Sequence, residues 1–232
     1  YLDDSNLITA QYYINQIIQE SKKDGKEIYP IILTHLDPQY FKTYSFNLKN
    51  VHYLDVSVNN INKYNINNAI KNRNKIPSLS SHFLHYNPEE ITEGLFSNYG
   101  ISDDINNSKN FYDIVRKELE IYIKNKNYDV VLVCTGLRIH IEKSVYDLLE
   151  DEMKNAFLEE HGTSNKLDYA TNHGVDIPDI FYMLGIIYNE ALHLDAQCKK
   201  ITSVGHKLNN NVIKKIISDV VSNKIGPSTY SA

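Results

Sequence analysis

Four short apolar runs punctuate this chain, and each breaks off in residues able to do chemistry. Run 28–33 leads into Thr34, His35 and Asp37, and run 51–54 leads into Asp55. Run 130–133 leads into Cys134, Thr135 and Gly136, and run 201–204 into Gly205, His206 and Lys207. Short β-branched runs of this kind predict buried strands of a parallel sheet, near 28–34, 51–56, 129–134 and 200–204.

Between the runs, apolar residues recur at helical spacing. Leu7, Ile8, Ile14, Ile17 and Ile18 form a first stripe that stops at Lys22-Lys23-Asp24-Gly25. Phe111, Ile114, Val115, Leu119 and Tyr122 form a second. Ile141, Val145, Leu148, Leu149, Met153 and Phe157 predict one long helix ending at His161-Gly162. A loop over 163–178 then leads to a helix carrying Ile180, Phe181, Leu184, Ile187, Tyr188 and Leu192. The last stripe, from Val212 to Val221, meets Gly226-Pro227. Strands alternating with helices predict a three-layer α/β/α, Rossmann-like domain built on a mainly parallel sheet.

The 232 residues, 42% hydrophobic and 23% charged, suffice for one large core, so the whole chain is expected to form a single domain. Asparagines crowd between Asn47 and Asn74, and the stretch 57–110 reads as a polar insertion or flap with a short helix near 61–70. The net charge of -5 and pI of about 6.0 show no basic field, so nucleic acid is not the expected partner. No run approaches the ~20 apolar residues of a membrane span, and the first residues carry no signal-peptide pattern. A soluble protein of a reducing compartment such as the cytoplasm is expected, its two cysteines, Cys134 and Cys198, unpaired. Because the chain opens on Tyr1 rather than methionine, a segment removed or left out ahead of it is also expected. The 18 tyrosines, with no tryptophan, read as compositional bias.

In an open α/β sheet the ligand sits beyond the carboxyl ends of the strands, where the polar residues after each run would gather. Thr135 and Gly136 are placed at a strand-to-helix turn whose free amides make an anion site, with Arg138 as its cation. Gly205, His206 and Lys207 repeat that arrangement, His206 offering proton transfer. His35 and Asp37 read as an oriented base and acid. Asp55 reads as a contact to ribose or sugar hydroxyls, and His173 as a loop residue able to reach the crevice. No G-x-G-x-x-G, P-loop, G-x-S-x-G or H-E-x-x-H occurs, so no particular cofactor is indicated. No metal site is expected: His140 and Glu142 stand two apart, a spacing that does not share a helix face.

The expected function is therefore an enzyme, a transferase or hydrolase, binding an anionic small molecule such as a nucleotide or nucleotide-sugar. Its catalytic set would be His206, His35 and Asp37, with Asp55, Thr135, Gly136, Arg138, Gly205, Lys207 and His173 binding the ligand. The alternative is a non-catalytic ligand-binding or protein-interaction module using the Tyr/Asn-rich segment 40–99.

Overall fold

The computed structural model describes residues 4–31, 63–72, 75, 83–89, 97–102, 105, 108–124, 126–192 and 201–229. Its contacts divide the chain into two units, Tyr1–Val56 and Ser57–Ala232.

In the first unit, α1 spans Asp4–Lys23. It stops where the sequence stops it. Gly25 adopts a left-handed φ of 69°, its N–H donates to the Lys22 carbonyl, and Lys26 N–H donates to the Ser21 carbonyl. This pair of bonds is the Schellman arrangement that glycine permits. The described part of the first predicted strand, residues 28–31, is irregular and exposed. Positions 32–34 and 51–56 lie outside the described residues.

The second unit is helical. In chain order it holds α2 (Ile66–Asn72), α3 (Ser108–Ile123), α4 (Val130–Tyr146), α5 (Asp151–Glu159) and α6 (Thr163–Asn172). Strand β1 (Val175–Asp176), α7 (Asp179–Met183), α8 (Gly185–Leu192), α9 (Ile201–Leu208), α10 (Asn211–Val221) and β2 (Ser228–Thr229) follow. The sheet among the described residues is this one antiparallel pair, Val175 opposite Thr229. The parallel sheet, and with it the three-layer Rossmann-like domain, is corrected by this finding.

Helix α4 occupies the place where the sequence predicts a buried strand. Its opening run is buried without a break from Val130 to Ile139, because α4 is the central helix, packed by α2, α3, α6, α8, α9 and α10. A helix enclosed on all sides is apolar all round, and an apolar run then has no period to separate it from a buried strand. Asp129 fixes the start. Its carboxylate accepts the Val131 and Leu132 N–H groups at 2.9 and 3.1 Å, filling the N-cap role. The second misread run, 201–204, opens α9, where Val204 and Leu208 are buried one turn apart.

Three helical boundaries also differ from the sequence reading. The long helix expected over 141–157 is two, since α4 ends at Tyr146 and Glu150 is extended before α5. Residues expected as loop form α6, whose buried positions Thr163, Lys166, Leu167 and Ala170 make a regular helical stripe. Lys166 hides that stripe from a hydropathy reading. Its Nζ donates to the Phe157 and Leu158 carbonyls at the end of α5, 3.0 Å each, and lies over the Phe157 ring. Helix α2 contributes Ile66, Ala69 and Ile70 to the core. Helix α10 ends at Val221 with Asn223 at φ 56° rather than at Gly226.

Among the described residues no helix is long and apolar enough to cross a membrane.

Candidate functional site

Polar residues on α4 fall into two sets. One is buried. Glu142, with no exposed surface, accepts the Tyr86 N–H at 2.8 Å and Thr163 Oγ1–H at 2.7 Å, and its Oε1 lies 2.7 Å from His85 Nδ1. Burial pushes its pKa up, but attraction to His85 and Lys166 and these hydrogen bonds outweigh burial and hold it below the ordinary carboxylate range. One turn earlier, Arg138 Nη1–H donates to the Leu84 carbonyl at 3.0 Å, Nη2–H donates to Asn189 Oδ1, and the guanidinium lies over the Tyr188 ring. Together these two residues clamp segment 83–87 onto the central helix.

A second buried cluster sits at the start of α4. Lys63 Nζ donates to both Glu118 oxygens at 2.8 and 2.9 Å, and Lys63 N–H donates to Asp129 Oδ2 at 2.7 Å. Asp129 N–H in turn donates to Glu118. Burial pushes Asp129 up to about 6, against the hydrogen bonds it accepts.

The other polar set is open to solvent. An open groove of about 770 Å³ runs between α3, α4 and the turn after α10. Arg116 and Asp113 line it from α3, His140, Lys143 and Asp147 from α4, and Lys224 from the turn. Asn223 places Lys224 there through the same Schellman pattern as in α1, with Lys224 N–H on the Asp219 carbonyl. His140 Nε2 lies 3.2 Å from the Val220 carbonyl, so Nε2 carries the proton. Burial, then the charges of Arg116 and Lys143, lower the His140 pKa against that hydrogen bond. A smaller cavity of about 350 Å³, between α6 and the α7–α8 junction, is lined by Ser164, Leu167, Tyr182, Tyr188 and Asn189.

The residues singled out from sequence do not converge on one described cleft. Thr135, Gly136 and Arg138 are all buried in α4. Their amides lie inside the helix, whose free first-turn amides are those Asp129 caps. Gly136 faces Val115 and Leu119 of α3, whereas Arg138 faces Leu84 and α8. Gly205 is buried within α9, and Lys207, half-buried, follows on the same helix as position 206. His173 is exposed at the end of α6, its Nδ1 2.7 Å from the Tyr169 carbonyl and its ring 4.1 Å from that of Tyr169. His35, Asp37 and Asp55 lie outside the described residues. Cys134 is buried in α4 against the Ile187 carbonyl.

His140 and Glu142 do diverge, one toward Val220 and the other toward His85. The sequence reading passes over Arg116, Lys143 and Lys224, and weighs His140 only as a metal ligand. A signal existed: His140, Lys143, Ser144 and Asp147 are spaced as one polar helix face, legible once α4 is known to begin at Val130.

No family model, no curated protein and no solved structure matches this chain.

Proposed function

We propose that this chain is a non-catalytic, helical ligand-binding module whose ligand is a small molecule bearing phosphate or carboxylate, held in the groove between α3, α4 and the turn after α10. One observation carries the reading: cations from three separate elements, Arg116, Lys143 and Lys224, line one open groove of a chain whose net charge is -5. Each has an acid nearby on its own segment. Arg116 is 4.0 Å from Glu120, Lys143 pairs with Asp147, and Lys224 is 3.4 Å from Asp219. Such exposed pairs contribute about 0.2–1 kcal/mol each, so they are weak competitors for an anion that bridges several of these cations at once.

The test uses sulfate as probe. Sulfate should raise the melting temperature above the value in chloride of equal ionic strength. Because sulfate stabilises proteins generally, the deciding comparison is with Arg116→Glu/Lys224→Glu. Loss of the sulfate-specific increment in that variant supports the reading, and an equal increment in both overturns it.

A second reading, a transferase or hydrolase, is favoured by one contact. His85, its side chain 21% exposed, meets a carboxylate with no exposed surface, an arrangement that orients a proton-transferring imidazole. Phosphate release from phosphate monoesters that is lost in His85→Gln but kept in Arg116→Glu would favour this reading over the first.

A further inference from the structure

We infer that His140 is the proton-taking contact of the groove, so that an anion and a proton bind together. The inference rests on the reading of the groove as an anion site and names its regulation.

The geometry fixes which nitrogen takes the proton. With Nε2–H donating to the Val220 carbonyl, the ring is held in one tautomer and Nδ1 is left as the acceptor. Among the described residues Nδ1 makes no hydrogen bond of its own. The ring lines the groove among charged groups from each neighbouring element: Arg116 and Asp113 of α3, Lys143 and Asp147 of α4, and Lys224 of the turn, with Asp219 behind it. Without a bound anion, burial and the charges of Arg116 and Lys143 oppose a positive charge on the ring and depress its proton affinity despite the hydrogen bond to Val220.

A dianion seated among Arg116, Lys143 and Lys224 opposes the field of these cations at the ring. The imidazolium is then stabilised, and its Nδ1–H becomes a further donor to the ligand. Linkage is reciprocal: if the anion raises the proton affinity of His140, protonation raises the affinity for the anion by the same factor. The groove should bind more tightly as pH falls from the ordinary histidine range through the depressed value of the anion-free ring.

The experiment follows the ring signals of the intact chain by NMR across that range, in sulfate and in chloride at matched ionic strength. Sulfate stays a dianion throughout, so any proton taken up belongs to the protein. The His140 signal is assigned by its loss in His140→Gln, whose circular dichroism and melting temperature report whether the fold is kept. If that variant does not fold, His140→Asn or the through-space contact of the ring with Val220 supplies the assignment. The expected result is that saturating sulfate moves the His140 titration upward by about one pH unit, with sulfate affinity about tenfold stronger at the acid end. Saturable sulfate binding that is lost in Arg116→Glu/Lys224→Glu, with the His140 titration unmoved, overturns the proton coupling and leaves the groove reading standing. Absence of saturable sulfate binding at low ionic strength overturns both.

Discussion

Glu142 on α4 and Thr163 at the first position of α6 meet at 2.7 Å, carboxylate to hydroxyl, with both residues buried. A buried carboxylate is tolerable only when its oxygens are occupied by donors, and Thr163, His85 and the Tyr86 amide occupy them here. Glu142→Ala should cost about 3–5 kcal/mol, as expected for breaking a buried charged network, while Thr163→Val should cost about 1–3 kcal/mol for the donor it removes. Because the two share one network, the double variant should lose less than the sum of the two, measured by urea denaturation. Additive losses would show that Thr163 does not act through Glu142.

The two buried acids of α4 respond to pH with opposite signs. Glu142 is held below its ordinary value, so its folded form sheds the proton more readily than its unfolded form. Its contribution to stability is present above the ordinary carboxylate range and is lost as pH falls through the lower folded value. Asp129 is raised to about 6 from 3.8, so the folded state binds the proton more tightly. Its contribution is full below the unfolded value and disappears as pH rises through about 6. Stability between those two pH values should therefore decline more steeply with rising pH in the wild type than in Asp129→Asn, a difference readable from denaturation midpoints at several pH values. Parallel profiles for the two proteins would count against the raised carboxyl.

The helices that carry a clean amphipathic period were legible in the sequence. Helix α3 shows buried Phe111, Val115, Leu119 and Tyr122 on the predicted stripe, and α1 stops at the predicted Gly25. Where the period vanished, the reading failed. Val130 to Ile139 is buried on every side, and β-branched residues there pointed to a strand that packing then overrode. Asp129 was the local clue, since an acidic residue immediately before an apolar run is also an N-cap. The groove needed more than local pattern. Arg116, His140 and Lys224 are separated widely in the chain and come together only because α3, α4 and α10 pack as they do. Buried Lys166 and Arg138 were hidden for a related reason: their partners are mostly backbone carbonyls, which no side-chain pattern reports.

Arg138 and Arg116 should separate stability from binding. Arg138 is 4% exposed and bonded to the Leu84 carbonyl, so Arg138→Ala should cost about 2–4 kcal/mol through unpaired buried acceptors and a lost stem. Arg138→Lys should not recover that loss, because one ammonium does not reproduce two diverging N–H groups and a plane over Tyr188. Arg116, with its side chain 79% exposed, should change stability by less than about 0.5 kcal/mol on truncation while weakening sulfate binding. Melting curves and sulfate titrations on the same three variants decide it. A stable Arg138→Ala protein would remove the clamp on segment 83–87 from the account.

Gly136 gives the sharpest test of how α3 and α4 are fitted together. It lies mid-helix, where alanine is favoured over glycine by about 1 kcal/mol, so propensity alone predicts that Gly136→Ala stabilises. Packing predicts the reverse. A Cβ at this position would fall 2.8 Å from the Val115 carbonyl oxygen and 3.2 Å from the Leu119 side chain. Leu119 is a side chain and can turn, but the Val115 oxygen belongs to the α3 backbone and yields only if the helix moves. Overpacking of this kind costs about 1–3 kcal/mol, which offsets the propensity gain and leaves a net loss of up to about 2 kcal/mol. The displacement would open the floor of the groove, since Gly136, Val115 and Leu119 all line it. Gly136→Ala should therefore lower the melting temperature and reduce sulfate affinity together, although no charge has been touched. A variant more stable than the wild type would mean that α3 and α4 are not in the close contact described, and that the groove between them has a different shape.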